Sequence, residues 1–541
     1  MDLERSIYSK ARRTRDPRFD GRFFIAVLST GVYCRSICPA PTAKERNVRY
    51  FPTAAAAAEA GFRPCLRCRP ECSPGTPGWM GTSTTVARAL RLIGESPLAD
   101  TTVEALANRL GIDSRHLRRL FLKHLGAAPK AVMQTRRLHF AKKLIDETTL
   151  PMSEIAVSAG FGSIRHFNST IRQTYRRTPT QLRRIACNRA TEPANEYLFR
   201  LRFRPPFQWT ALLDFLRPRA TPGVELVTRD SYGRTFSLGG LSGSVEVSLD
   251  DKSEALAVRI RFPDPRHLFL VIERIRGMFD LNADPAEIAT QLSVDELLAP
   301  RIAAEPGLRV PGSWDGFELS VRAILGQQVT VGGATTLCGR LVQSFGAPLA
   351  AGPGLTHLFP SPEVLGDADL STLGIPRART ETIRALARAV SGGHLTFNGV
   401  LDVNAFLARF REIPGIGDWT AQYVAMRALG EPDAFPSGDL GLLRATSLES
   451  SRELAERAEA WRPWRAYAAM YLWRRPRAPD ATVRRIPRRG TGLVAPHSTG
   501  LVTRPVRRHF LPVVLPPSRT LGSISQQAGR GCQCCQGVVM Q

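Results

Sequence analysis

Apolar and polar positions alternate with different periods along the chain, and each change of period marks a change of element. Residues 23–28 form a continuous apolar run closed by Ser29-Thr30-Gly31 and followed by Val32-Tyr33. That pattern predicts a buried strand, a turn and a return strand that delivers Cys34. From Val103 the period lengthens: Val103, Leu106, Ala107 and Leu110 share a helical face after Thr101-x-x-Glu104, the spacing of a capping box, and Gly111 ends the helix. Asp113-Ser114 start a second helix with Leu117, Leu120 and Phe121 inward and Arg115, His116, Arg118 and Arg119 outward. The same pattern recurs from Ile155 through Gly160-Phe161 to Tyr175, with Arg165, His166, Asn168 and Arg172 on the polar face, and a long helix over about 129–147 joins the copies. Residues 197–203, 224–227, 234–238, 245–249 and 255–262 then read as strands, interrupted by a helix over 209–216. From Asp315 onward the pattern is helical, and Pro414-Gly415-Ile416-Gly417 separates a helix carrying Phe406, Leu407 and Phe410 from one carrying Ala421, Val424, Ala425 and Ala428. Trp461, Trp464, Tyr467 and Tyr471 make a stripe at helical spacing that reads as core.

Composition narrows the class. A chain of 541 residues is long enough for three or four domains, and a net charge of +26 points to a polyanionic partner, most simply nucleic acid. The basic excess persists when the arginine-rich stretch beyond Trp473 is set aside. No apolar run is long enough for a membrane span, and the polar residues 1–15 lack the apolar core of a signal peptide, so a cytosolic protein is expected, without membrane partners. Five of the ten cysteines fall between Cys34 and Cys72, which in a reducing compartment argues for metal or reactive thiols. Three residues separate Cys34 from Cys38 and two separate Cys65 from Cys68; four such thiolates suit tetrahedral Zn2+, and from spacing alone a structural site is favoured over a reactive one, because most zinc sites made of four cysteines are structural.

Three resemblances sharpen this reading. Gly31-Val32-Tyr33-Cys34-Arg35-Ser36-Ile37-Cys38 with Gly61-Phe62-Arg63-Pro64-Cys65-Leu66-Arg67-Cys68 resembles the metal-binding domain of the Ada family. The resemblance implies that Cys34, besides ligating zinc, accepts a methyl group from a methylphosphotriester in DNA, which removes one negative charge and reduces repulsion from phosphate. Arg35, Arg63 and Arg67 are candidates for phosphate contact. The doubled helix–turn–helix pattern, with Gly160-Phe161 to Thr178-Pro179, resembles the AraC-type DNA-binding domain, departing from it at Ile171 and Arg176-Arg177. It implies that Arg115, Arg118, Arg119, Arg165 and His166 face promoter DNA, with RNA polymerase as a further partner of such a regulator. Residues 413–423 with Asp439, Val321 to Gln328, and Trp461 to Tyr467 resemble the helix-hairpin-helix DNA glycosylases, nearest the AlkA-type 3-methyladenine DNA glycosylase II.

What the last resemblance implies is chemical. An alkylated base must leave the stack before its glycosidic bond is reached. Trp419, Tyr423 and Trp473 then stack on a cationic purine, Gln327 and Gln328 stand where a wedge enters the gap, and amides at Gly415 and Gly417 grip phosphate. Asp439 stabilises oxocarbenium charge and orients or deprotonates water. Trp419 occupies the place of the Schiff-base lysine of strand-cutting relatives, so base release alone is expected. No Pro-Cys-His-Arg run occurs, so reversal of O6-alkylguanine is not expected. The expected architecture is multidomain and mainly α with α+β parts: a small zinc-bound α+β domain (1–78), two helix-turn-helix units (79–187), a mixed sheet-helix lobe (193–312), an all-α helix-hairpin-helix glycosylase domain (313–475) and a disordered basic tail (476–541). The expected function is alkylation repair combined with transcriptional control in the bacterial cytosol. The alternative is a regulator whose glycosylase half senses damage without catalysis.

Overall fold

The computed structural model describes residues 2–74, 84–95, 98, 102–185, 193–250, 252–400 and 402–474. The expected disordered tail and most of the Ser73 to Gly78 linker lie outside them. The short apolar run at the start builds a four-stranded sheet in the order Val48–Phe51, Phe24–Val27, Val32–Cys34, Arg63–Pro64, the last pair parallel. Gly31 (φ +63°) makes the turn that sets Cys34 opposite Ile25. A helix not foreseen from the sequence, Asp2–Thr14, stacks Tyr8 on Phe23 with ring centroids 4.3 Å apart and buries Ala11.

Two helix pairs follow, Val103–Arg109 with Ser114–Leu125 and Met152–Ser158 with Ile164–Tyr175, joined by the linking helix Pro129–Glu147. The helix starts one residue later than the capping-box spacing implies: the N-cap is Thr102, whose Oγ1 accepts from the Ala105 amide at 3.0 Å, and alanine at that third position cannot close a capping box, while Thr101 lies outside the described residues. Asp113 and Ser163 cap the two second helices at 2.8 and 3.1 Å. Their cores differ. Leu106, Leu117 and Phe121 pack with Val86, Leu92 and Met133, whereas Ile155, Phe167 and Ile171 join Phe140 and Leu144 and run on into the large sheet lobe. Ile171 is fully buried there, so its departure from the AraC-type pattern leaves a filled core.

That lobe is an antiparallel sheet in the order Glu196–Arg202, Ala255–Arg261, Leu241–Asp250, Ser231–Leu238, Glu225–Val227, packed with the helices Trp209–Leu216 and Leu268–Met278. The final block is helical around one core containing Val321, Leu325, Phe410, Val424 and Ala468. It is not all-α. Pro348–Gly352 and Leu355–His357 form a hairpin, turned by Gly352 and Gly354 at φ +140° and +76°. Thr356 and His357 donate their amides to the Gly223 carbonyl of the lobe at 2.8 and 3.0 Å. Gly-Pro-Gly within a helical pattern was the overlooked sign. The stripe of Trp461, Trp464, Tyr467 and Tyr471 is core, each at most 5% exposed. Among the described residues no helix is long and apolar enough to cross a membrane.

Candidate functional site

The helices Val403–Arg411 and Asp418–Arg427 flank the glycine turn. Gly415 has φ +88°, and a Cβ there would lie 2.2 Å from Thr382 Oγ1, so only glycine fits. Gly417 caps the second helix in extended conformation, and both glycines are exposed. Gln327 and Gln328 separate. Gln327 is half-buried and donates to the Gly415 carbonyl at 3.0 Å and to Thr420 Oγ1 at 3.2 Å, bracing the hairpin instead of reaching outward. Gln328 is exposed and held at φ +56°, a strained backbone for a residue with a side chain, beside the exposed Val329 and Val331.

Pro436-Ser437-Gly438 turns the chain into the helix Leu440–Thr446, whose N-cap is Asp439. Its Oδ1 accepts from the Leu442 amide at 3.0 Å and from Trp473 Nε1 at 2.8 Å, and its Oδ2 accepts from Trp419 Nε1 at 2.9 Å. Asp439, Trp419, Tyr423 and Trp473 are thus brought together, each half-buried. Trp419 and Tyr423 stack nearly parallel, 5.2 Å between centroids and 8° between planes, and Tyr423 meets Trp473 edge-on at 6.4 Å.

Three residues at this site went unnoticed in the sequence. Arg427 donates to Tyr423 Oη at 2.6 Å, and its guanidinium carbon lies 5.1 Å from the ring centroid of Phe215 and 5.4 Å from that of Tyr423. Arg219 lies 3.9 Å over Phe215. Burial would raise the Tyr423 phenol, but the charges of Arg427 and Arg219 outweigh it and hold the group below its ordinary value. A cavity of about 250 Å³ opens beside Trp473, lined also by Phe215, Arg219, Leu308, Arg309 and Met470. Arg427, a charge inside an apolar helical run, was a visible signal; Phe215 and Arg219 gave none, because they come from the sheet lobe.

At the amino-terminal end the Sγ atoms of Cys34, Cys38, Cys65 and Cys68 all lie within 4.8 Å of one another. A Zn–S bond of about 2.3 Å in a tetrahedron sets sulfur separations near about 3.8 Å, which this cluster fits. Cys65 and Cys68 are buried; Cys34 and Cys38 are half-buried. Arg35 is not available to phosphate. It is 2% exposed, paired with Asp20 (Nε to Oδ1, 2.8 Å), and donates to the Cys68 carbonyl at 3.0 Å. Arg63 is half-buried and Arg67 exposed. On the second helices of the two pairs Arg115, Arg118, Arg119, Arg165 and His166 are exposed, and Arg119 meets His116 at 2.8 Å.

Residues 8–71 match the metal binding domain of Ada, residues 106–185 a helix-turn-helix domain, and residues 198–315 the AlkA N-terminal domain. The Ada match and the converging thiols identify a zinc-binding domain. DNA-3-methyladenine glycosylase 2 of Escherichia coli is 33% identical over 279 residues, 51% of this chain and 96% of that protein. The bifunctional transcriptional activator/DNA repair enzyme Ada of Escherichia coli is 34% identical over 169 residues, 31% of this chain and 46% of that protein. The probable bifunctional transcriptional activator/DNA repair enzyme AlkA of Mycobacterium tuberculosis is 42% identical over 480 residues, which cover 87% of this chain and 96% of that protein. Matched over nearly the whole length of that relative, the chain belongs to the family of bifunctional transcriptional activator/DNA repair enzymes of the AlkA type.

Proposed function

We propose that this protein repairs alkylated DNA and regulates the response to it, as a monofunctional DNA-3-methyladenine glycosylase fused to a zinc-thiolate methyl acceptor and a promoter reader. The observation that carries the glycosylase reading is the carboxylate of Asp439 held by the indole N–H groups of Trp419 and Trp473, with Tyr423 stacked on Trp419 in the helix that follows the glycine hairpin. An extruded alkylpurine presents its glycosidic bond to Asp439, which stabilises the positive charge developing on the sugar and orients the attacking water. Trp419, Tyr423 and Trp473 supply aromatic faces to a cationic base, a contact of roughly 0.5–2 kcal/mol. Amides at Gly415 and Gly417 hold phosphate, and Gln328, exposed on its strained turn, is the residue positioned to enter the gap; Gln327 supports the hairpin.

In the amino-terminal domain Cys34, Cys38, Cys65 and Cys68 hold the zinc. Bound zinc keeps sulfur as thiolate at neutral pH. Cys34 Sγ attacks the methyl carbon of a methylphosphotriester; the S–C bond forms, the C–O bond breaks, and its electron pair returns to the phosphate oxygen. The half-buried position of Cys34 supports this role. Loss of one negative charge there favours promoter DNA under Arg115, Arg118, Arg119, Arg165 and His166. We assign residues 1–78, 79–187, 193–312 and 313–475 to the four parts, RNA polymerase as the partner at promoters, and the bacterial cytosol as the location.

Release of free 3-methyladenine from methylated duplex is the test. Wild type is expected to release base, and Asp439→Asn to be slower by at least about 10²-fold. Equal release by both, or none by either, removes the catalytic reading and leaves the regulator.

A further inference from the structure

The contacts of the Asp439 carboxylate distinguish its two oxygens. A carboxylate offers about four lone-pair positions, two on each oxygen. Among the described residues Oδ1 accepts two N–H groups, from Trp473 at 2.8 Å and from the Leu442 amide at 3.0 Å, and is saturated. Oδ2 accepts one, from Trp419 at 2.9 Å. The two indoles come from the helices Asp418–Arg427 and Arg465–Trp473, so the carboxylate is fixed by two elements that flank it in sequence. Position 441 must be bare for this to happen: a Cβ on Gly441 would stand 2.9 Å from Oδ1 and 3.4 Å from Trp473 Cδ1.

The stacking geometry points the same way. A base inserted between two rings needs about 7 Å between them, twice the carbon contact distance. Trp419 and Tyr423 lie parallel at 5.2 Å, so no base enters between them. One face of Trp419 is covered by Tyr423 and its N–H edge is spent on Asp439, which makes it a fixed wall with an anchored orientation.

We propose that Trp419 and Trp473 are positioning residues for Asp439, their indole N–H groups clamping the carboxylate so that the remaining lone pair of Oδ2 alone faces the sugar and the attacking water. This rests on the reading of Asp439 as the catalytic carboxylate. The clamp matters because an aspartate at a helix start can otherwise rotate, and a displacement of about 1 Å costs on the order of 10²-fold in rate.

Single-turnover base release and duplex affinity, measured on the full chain with zinc bound, separate positioning from stacking. Trp473→Phe and Trp419→Phe keep an aromatic face and lose the donor; Gly441→Ala leaves every aromatic in place and presses a methyl group on Oδ1. With Asp439→Asn inactive, all three variants are expected to lower the single-turnover rate constant about tenfold or more. Their dissociation constants for damaged duplex should change by less than about threefold. The clamp is overturned if Asp439→Asn is inactive while the Trp→Phe variants weaken binding with the saturating rate intact and Gly441→Ala behaves as wild type. Should a Trp→Phe variant not fold, Gly441→Ala decides alone. Wild-type activity in Asp439→Asn removes the underlying reading, and the clamp with it.

Discussion

His139 Nε2 on the linking helix is hydrogen-bonded at 3.1 Å to the Oη of Tyr33, the residue before Cys34. Burial pushes its imidazole down to about 4, against the nearby acid Glu71, which works in the opposite direction. Linkage gives the sign: the unfolded chain takes up a proton near the ordinary histidine value while the folded chain refuses it, so stability present above about pH 6.5 is lost as pH falls toward about 4. Between pH 7 and pH 5 the wild type is therefore expected to lose about 2 kcal/mol more unfolding free energy than His139→Gln. Denaturant titrations of both proteins at the two pH values check this; parallel losses would mean that His139 protonates freely in the folded chain.

Among elements, the two helix-turn-helix units end their second helices in the same way with different residues. Gly126 caps Ser114–Leu125 at φ +67°, and Arg176 caps Ile164–Tyr175 at φ +55°. The left-handed region disfavours a side chain, so Arg176→Gly is expected to stabilise the protein by about 0.5–1 kcal/mol, read as a raised Tm. Gly126→Ala should do the reverse, and more, because its Cβ would also meet Pro52 Cγ at 3.1 Å and Ala56 Cβ at 3.2 Å across the contact with the zinc-binding domain. At the hairpin, Gly415→Ala combines left-handed strain with a clash against Thr382 Oγ1. It should weaken binding of alkylated and unmodified duplex alike by about tenfold, since the loss falls on phosphate and not on the base. Gel-shift titration with both duplexes distinguishes this from a lesion-specific defect.

At the scale of the molecule, polar contacts tie the zinc-binding domain to the helix-turn-helix units and the sheet lobe. Thr53 Oγ1 donates to the Leu125 carbonyl at 2.8 Å, Arg69 pairs with Asp146 at 2.8 Å, Lys142 with Glu71 at 3.4 Å, and Arg22 with Asp284 at 3.2 Å. The helix Thr84–Glu95 reaches the glycosylase block, where Glu95 accepts from the Gly399 amide at 2.5 Å. Among the described residues the glycosylase core takes none from the zinc-binding domain. Chelating the zinc is therefore expected to raise amide exchange along the linking helix and weaken promoter binding about tenfold, while base release stays within about twofold.

Much of this organisation is a local property of the chain. Which face of each segment is apolar, where glycine permits a turn, and which cysteines are close enough to share a cation are all set within a few residues, so most of the strands, the doubled helix pairs, the thiol cluster and the hairpin could be read in order. The strands Val48–Phe51 and Arg63–Pro64 were not anticipated, and the two short strands at 348–357 were missed because their turn sits inside a helical pattern. The partners of polar side chains were not legible, because they depend on how elements far apart in sequence pack. Folding alone buried Arg35 against Asp20, turned Gln327 inward while leaving Gln328 exposed, and brought Phe215 and Arg219 from the sheet lobe to Tyr423 and Arg427. It also set two indole N–H groups on the oxygens of Asp439. Periodicity specifies a surface; only the packed chain specifies what that surface touches.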